Sequence, residues 1–351
     1  MKKYIIKNDA VKFLSEVMGS AGLSFGEAKR WAELLTETSL LGFDTHGIRM
    51  AENYVELFSR GGAKAAVPKL LVDKGAIALF DGLDSLGHLA AWAAVVKAAD
   101  NAKKYGISFT AVKNAGHIGA CSIYTKALAQ RDCIGIACAT SRPGIAPTGG
   151  TKATVGINPL SVAAPIGGND FFLLDMSTTV TAMGKVTMAQ DSGQSLPLGW
   201  ALNKDGKPTT DPREAKAGSL LPIGGYKGYG LALSIELICS ALIGGSFAAE
   251  ISSWLGDPST PPKIPFSMIA LDISHFNDPG VFKAIVKEWL AKVVDVPKQE
   301  GVNRIYVPGE MAAEHYRIRS NEGIPIEEIT IESYKRLAKK YSVLMAHIIE
   351  K

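Results

Sequence analysis

Between Leu89 and Tyr105 the chain reads LAAWAAVVKAADNAKKY, an alanine-rich run long enough for a helix, and Gly106 then breaks it. ISFTAVKN follows at once, rich in β-branched and aromatic residues. A helix halted by glycine and followed by a strand predicts an α/β fold. Short β-like runs precede it in PKLLVDKGAIALFDGLDS, and IGIACAT (134–140), LSVAAP (160–165), FFLLDM (171–176) and SMIALDIS (267–274) are further strand candidates. A helix is expected from about Asp278 to Val293.

Both ends of the chain have helical periodicity. Val11, Leu14, Val17 and Met18 follow helical spacing, and Ser24 with Glu27 forms a capping-box signature ahead of the next helix. Gly42 stops that helix. Asp44 or Thr45 then caps HGIRMAENYVELFSR, which ends at Gly61-Gly62. The C-terminal IEEITIESYKRLAKKYSVLMAHII is expected to be helical and to pack on the N-terminal helices. SRPGIAPTGGTKATVGINP reads as a loop system, and residues 250–266 as a Pro-rich connector.

The net charge of +4 is mild and no long basic run occurs, which argues against nucleic acid as a partner. The four cysteines lack metal-ligand or CxxC spacing, so they read as buried thiols of an intracellular enzyme with no metal. MKKYIIKNDAVKFL breaks into charges before a signal-type core forms, so a cytoplasmic location is expected. Gly228–Phe247 carries one charge, Glu236, and imitates a membrane span, but a helix buried in a globular core is the better reading.

Several segments have the makings of a site. On a helix starting near His46, residues His46, Arg49 and Asn53 share one polar face. Histidine suits proton transfer near neutral pH and arginine suits a carboxylate, although the same spacing fits a capped helix with both in solvent. His117 sits between glycines just after a strand, in KNAGHIGACSIY, where a turn histidine would also serve. His88 merely precedes a helix, and His275, His315 and His347 have no usable context. In GGYKGYGLALSIE glycines and Lys227 lie just ahead of a helix and favour an anion. Asp175 ends an apolar run and is followed by Ser177, Thr178, Thr179 and Thr181, hydroxyls able to coat a phosphate or ribose. Asn158-Pro159 makes a turn and VPGE (307–310) another. Neither the GxGxxG nor the GxxxxGK[ST] pattern is present.

Taken in order, DTHGIR (44–49), NAGHIG (114–119), GINPL (156–160), LDMSTT (174–179) with GK (184–185), GGYKGYG (224–230) and PGE (308–310) resemble the motifs of the malate/L-lactate dehydrogenase family, which lacks a Rossmann fold. LGWALNKDGKPTTDP (198–212) resembles that family's Gly-Trp-Ala loop. The resemblance implies a mixed-sheet, three-layer α/β fold: a helical domain from 1–65 plus roughly 312–351, a small α/β segment over 66–125, and an NAD(P)-binding domain over 126–311. It implies hydride transfer with NAD or NADP between a 2-oxo acid, or a cyclic imino acid, and its reduced counterpart, usually in a homodimer. On that likeness His46 is the leading proton donor, His117 the competing one, and Arg49 the carboxylate clamp. Thr45, Asn158 and Lys185 would also face substrate. Asp175, Met176, Ser177, Thr178, Thr179, Val180, Thr181, Tyr226, Lys227, Gly309 and Glu310 would hold the dinucleotide. Thr45 departs from the family's serine; it keeps the hydroxyl and adds a methyl that narrows the pocket. A non-redox protein that binds an anion or nucleotide is the alternative class.

Overall fold

The alanine-rich run forms the helix Gly87–Tyr105, which Gly106 ends in the left-handed region (φ 84°) with its N–H on the Ala102 carbonyl. This helix crosses between two parallel neighbours, the strands Ile77–Asp81 and Ile107–Ala115. They belong to a seven-stranded sheet ordered Lys69–Lys74, Ile77–Asp81, Ile107–Ala115, Ile264–Asp272, Cys133–Ala139, Leu160–Gly167, Asp170–Met176. Every other neighbouring pair is antiparallel, so the sheet is mixed, as expected. The strand Ile264–Asp272 is inserted at the centre from far along the chain. The computed structural model describes residues 2–168 and 170–351.

Strand alternation sends successive side chains to opposite faces. Ala137 and Ala139 join Ala90, Ala94, Ala98, Val112 and Met268 in the core under the helix Gly87–Tyr105. Cys138 points the other way and packs with Ile235 and Cys239 of the helix Tyr226–Cys239. Helices therefore cover both faces of the sheet. Five short strands, among them Pro143–Ile145 and Val155–Gly156, form a second sheet, so the segment read as a loop system carries two short strands.

A third sheet sets Lys3–Ile5 between Ile324–Pro325 and Ile348–Glu350. Beside it Phe13, Leu14, Trp31, Leu35, Tyr54, Tyr334 and Leu337 share one buried cluster drawn from both ends of the chain. The C-terminal helix is shorter than expected. It spans Glu328–Tyr341 and stops at Ser342 (φ 53°), because the apolar tail beyond it is used as a strand against Lys3–Ile5.

The apolar run expected to be a core helix is buried on one side only. Ala232, Ile235, Glu236 and Cys239 face inward, whereas Leu237 and Leu242 are 63% and 66% exposed. Its single charge is structural: the Glu236 carboxylate accepts from the Gly156 N–H at 3.1 Å and from Asn158 Nδ2 at 3.3 Å.

Candidate active site

The opening histidine segment is not one helix. Asp44–His46 and Ile48–Met50 are separate 3-10 turns, and the α-helix begins only at Ala51. His46, Arg49 and Asn53 therefore do not form a single helical face. The break is a packing requirement at Gly47. A Cβ there would lie 2.0 Å from the Ser39 hydroxyl, which accepts the Ile48 N–H at 3.0 Å. Asp44 does not cap. Its carboxylate takes a two-pronged ion pair from Arg319, at 2.6 and 3.0 Å, tying the helix Glu310–Glu322 to this turn. The Tyr334 hydroxyl donates to the Ile48 carbonyl at 3.2 Å. Both ends of the chain thus hold the turn that presents His46. Thr45 Oγ1 lies 2.9 Å from His46 Nδ1.

His117 comes to the same place from the other side of the fold, at the end of the strand Ile107–Ala115. The His46 and His117 rings are 5.8 Å apart between centroids and inclined by 28°, and both are half-buried. Tyr54 Oη lies 2.7 Å from His117 Nδ1. Trp254 forms a floor under both: its ring stacks on His117 at 4.3 Å and on Tyr54 at 4.8 Å, nearly parallel to each. His88, dismissed on context, stands edge-on to Tyr54 at 4.7 Å, fully buried, with neither ring nitrogen hydrogen-bonded among the described residues. Burial lowers the His46 pKa below its ordinary value. Burial, reinforced by repulsion from His46, takes His88 down to about 3.

Sequence reading missed Tyr54, Trp254 and His88. Tyr54 sat in a helix read only for its apolar face, and Trp254 sat in the Pro-rich connector, where no local spacing marks it. Gly119 is the link with a sequence signal. Its φ is +74°, and a Cβ there would lie 2.8 Å from His88 Nε2, so the glycine that marked a tight turn also makes room for His88.

Two other motifs meet in space. The loop after Asp170–Met176 pairs with the segment before the Gly224-Gly225 turn: Val180 N–H donates to Leu221 at 2.9 Å and Ile223 N–H to Thr178 at 2.9 Å. In the same loop two hydroxyls expected to bind cofactor donate to main-chain carbonyls. Thr178 Oγ1 is buried on the Ile157 carbonyl at 3.0 Å, and Thr179 Oγ1 on the Thr181 carbonyl at 2.7 Å. Met176 is half-buried, and Val180 and Tyr226 are exposed, at 41% and 68%. Lys227 is exposed and lies within the helix rather than ahead of it. Asn158, expected to face substrate, is fully buried instead; its amide donates to Ala232 at 2.9 Å and accepts from Ser141 at 3.1 Å. Those bonds pin the turn to the helix, and the Asn158 φ of 23° is a positive value that asparagine tolerates better than most side chains.

Gly184 abuts the His46 turn, since a Cβ on it would come 2.9 Å from the Thr45 methyl; Lys185, next along, is exposed. Arg49 is turned to Glu327 in an ion pair of 3.2 Å. Gly309 and Glu310 line a groove of about 950 Å³ together with Lys126, Phe171 and Arg304, and Glu310 accepts from the Val307 N–H at 3.1 Å.

A family model described as malate/L-lactate dehydrogenase matches residues 5–335. The chain belongs to the malate/L-lactate dehydrogenase family. This dehydrogenase is 31% identical over 348 residues to the malate dehydrogenase of Pyrococcus abyssi, covering 97% of this chain and 95% of that one. It is 30% identical over 331 residues to a malate/(S)-sulfolactate dehydrogenase of Methanothermus fervidus, covering 93% and 95%. The crystal structure of malate dehydrogenase from Entamoeba histolytica matches with a TM-score of 0.94 at 27% identity, covering 99% of this chain and 100% of that one.

Asp175 of this dehydrogenase costs stability. Burial raises its carboxyl from 3.8 to about 6, against the opposing pull of the Ser122 N–H, which donates to it at 2.8 Å. The folded state then binds more protons than the unfolded one between those values, so stability falls as pH rises through them. Asp175→Asn keeps an acceptor for Ser122 and removes the charge. It is expected to raise Tm at pH values above about 6 and to change it little near pH 4. A thermal-melt series showing equal shifts at both ends would contradict this.

Proposed function

We propose that this NAD(P)-dependent oxidoreductase interconverts a 2-oxo acid and the matching 2-hydroxy acid at the His46–His117 pair. The observation that carries the reading is the convergence of these two half-buried histidines from separate motifs on one spot. One of them gives the proton to the carbonyl oxygen in reduction and takes it back in oxidation. Arg49 orients the substrate carboxylate. Its present partner, Glu327, is itself a carboxylate in a partly exposed pair of little intrinsic strength, so exchange is inexpensive. Lys185 adds positive charge beside the Thr45–Gly184 contact.

The residues fit a dinucleotide. Among the described residues, no side chain caps the start of the helix Tyr226–Cys239 behind Gly224 and Gly225, and nothing lies within 4 Å of where a Cβ on Gly225 would be. That open helix start, with Lys227 beside it, suits a phosphate. Asp175, Ser177 and the Gly309–Glu310 groove would hold the remainder; the groove's volume of about 950 Å³ is ample for a small-molecule site. When bound, the nicotinamide donates or accepts the hydride. A panel of 2-oxo acids and cyclic imines, assayed with NADH and NADPH separately, tests the reading. No turnover with any combination would refute it.

Thr45 orients His46 through its hydroxyl. Thr45→Val preserves shape and removes that bond, and is expected to lower kcat about tenfold, the equivalent of one hydrogen bond. Thr45→Ser is expected to stay near wild type while widening the accepted range of 2-oxo acids. Equal kcat for all three proteins would exclude the role.

A second copy of the chain is the proposed cover for the exposed apolar face at Leu237 and Leu242. Leu237→Asp combined with Leu242→Asp is expected to shift a dimer to monomer in size-exclusion chromatography with light scattering. An unchanged mass would reject that face as the interface.

A further inference from the structure

We propose that His117 acts as a neutral hydrogen-bond donor whose proton is fixed on Nε2 by Tyr54 and Gly119, and that His46 carries the proton that moves. This rests on the dehydrogenase reading above and divides the labour between the two histidines.

The geometry at His117 Nδ1 is one-sided. Tyr54 Oη lies 2.7 Å from it, and the Gly119 N–H points to it at 3.4 Å. A backbone N–H can only donate. Tyr54 is 1% exposed and has its hydroxyl on His117, so if it accepted from Nδ1 its own O–H would be left buried and unpaired. Both groups therefore donate to Nδ1, which must keep its lone pair, and the neutral ring bears its hydrogen on Nε2. Trp254 stacks within 7° of the His117 plane and 8° of the Tyr54 plane, and those two rings lie 6.0 Å apart between centroids at 15° to each other.

Charging His117 would turn Nδ1 into a donor facing two donors. It would also put a cation beside His46 and His88, the other titratable rings packed on this cluster besides Tyr54. Burial first, and those two rings second, hold the His117 pKa well below its ordinary value, while burial keeps the Tyr54 hydroxyl protonated. His46 differs. Its Nδ1 partner is the Thr45 hydroxyl, which can donate or accept and so serves either charge state. In reduction the carbonyl carbon gains the hydride, the C=O electron pair moves onto oxygen, and that oxygen takes the proton from imidazolium His46, leaving it neutral. The hydride, which a bound dinucleotide would supply, carries both electrons. His117 Nε2–H polarises the same oxygen without losing its proton. Tyr54 is then a positioning residue that acts through His117.

Histidine-selective 15N labelling of the full chain, with His117 assigned by loss of its signals in His117→Gln, reads the tautomer directly. We expect an Nε2–H pattern for His117 that does not change across roughly pH 5 to 8, the span in which an ordinary histidine titrates. Tyr54→Phe keeps the stack on Trp254 and is expected to give mixed tautomers and a kcat lowered about tenfold, with KM moving less. An Nδ1–H pattern, titration of His117 in that range, or an unchanged tautomer in Tyr54→Phe would overturn the proposal. The wild-type spectrum decides the tautomer even if the variant fails to fold. Absence of any dehydrogenase turnover would leave the spectrum untouched and count only against the functional reading.

Discussion

His46→Ala is expected to lower kcat for 2-oxo acid reduction about 10²- to 10⁴-fold, the usual contribution of a positioned proton donor. The fold should survive, because His46 is half-buried and its turn is held by other groups: Gly47 against Ser39, Asp44 on Arg319, and Ile48 under Tyr334. KM for the substrate should change much less than kcat, since carboxylate recognition is assigned to Arg49. In wild type the pH profile in the reductive direction should fall as pH rises through the His46 pKa, which burial sets below its ordinary value of 6.5. The oxidative direction, which needs neutral His46, should rise through the same value. Steady-state kinetics in both directions check this. A His46→Ala enzyme within tenfold of wild type, or a reductive profile flat on the acid side of neutrality, would show that another group moves the proton.

Gly119→Ala is expected to damage stability and catalysis together. The position combines φ +74° with a would-be Cβ contact of 2.8 Å to His88 Nε2. Left-handed backbone costs a non-glycine residue roughly 1–2 kcal/mol, and overpacking roughly 1–3 kcal/mol, so a loss of about 2–5 kcal/mol is expected. His88 has no spare room, being fully buried edge-on to Tyr54, so the displacement should pass to Tyr54 and His117 and lower kcat as well. Gly149→Ala is the control: its φ is +86° but nothing among the described residues lies within 4 Å of the would-be Cβ, so only the backbone cost of roughly 1–2 kcal/mol applies. Urea titrations of both variants with matched kinetics test the argument. Equal destabilisation, or full activity in Gly119→Ala, would mean that the contact with His88 carries no weight.

How much of the site was readable from sequence follows from how local each signal is. The Gly106 stop, the Ser24–Glu27 cap and the strand Cys133–Ala139 are decided within a few residues by backbone conformation and side-chain alternation, and the structure keeps them. The helix expected from His46 failed because its interruption depends on Ser39, eight residues before Gly47 and on another helix. The threonines after Asp175 were read as free hydroxyls, but the backbone of that loop pairs with Leu221 and Ile223 while the Thr178 and Thr179 hydroxyls donate to the Ile157 and Thr181 carbonyls. Asn158 was read by its turn chemistry, whereas its burial against Ala232 and Glu236 decides its role.

By itself the sequence determined the class of fold and the order of the motifs, and it singled out His46 and His117 while passing over His88, because periodicity, glycine stops and short motifs are properties of neighbouring residues. Tertiary structure alone decided that Tyr54, His88 and Trp254 enclose His117, that Arg319 from near the C-terminus steadies the His46 turn, and that Arg49 meets Glu327. Those contacts join residues far apart in the chain. Hydrogen bonding and stacking depend on distance and orientation in space, for which spacing along the chain carries no signal.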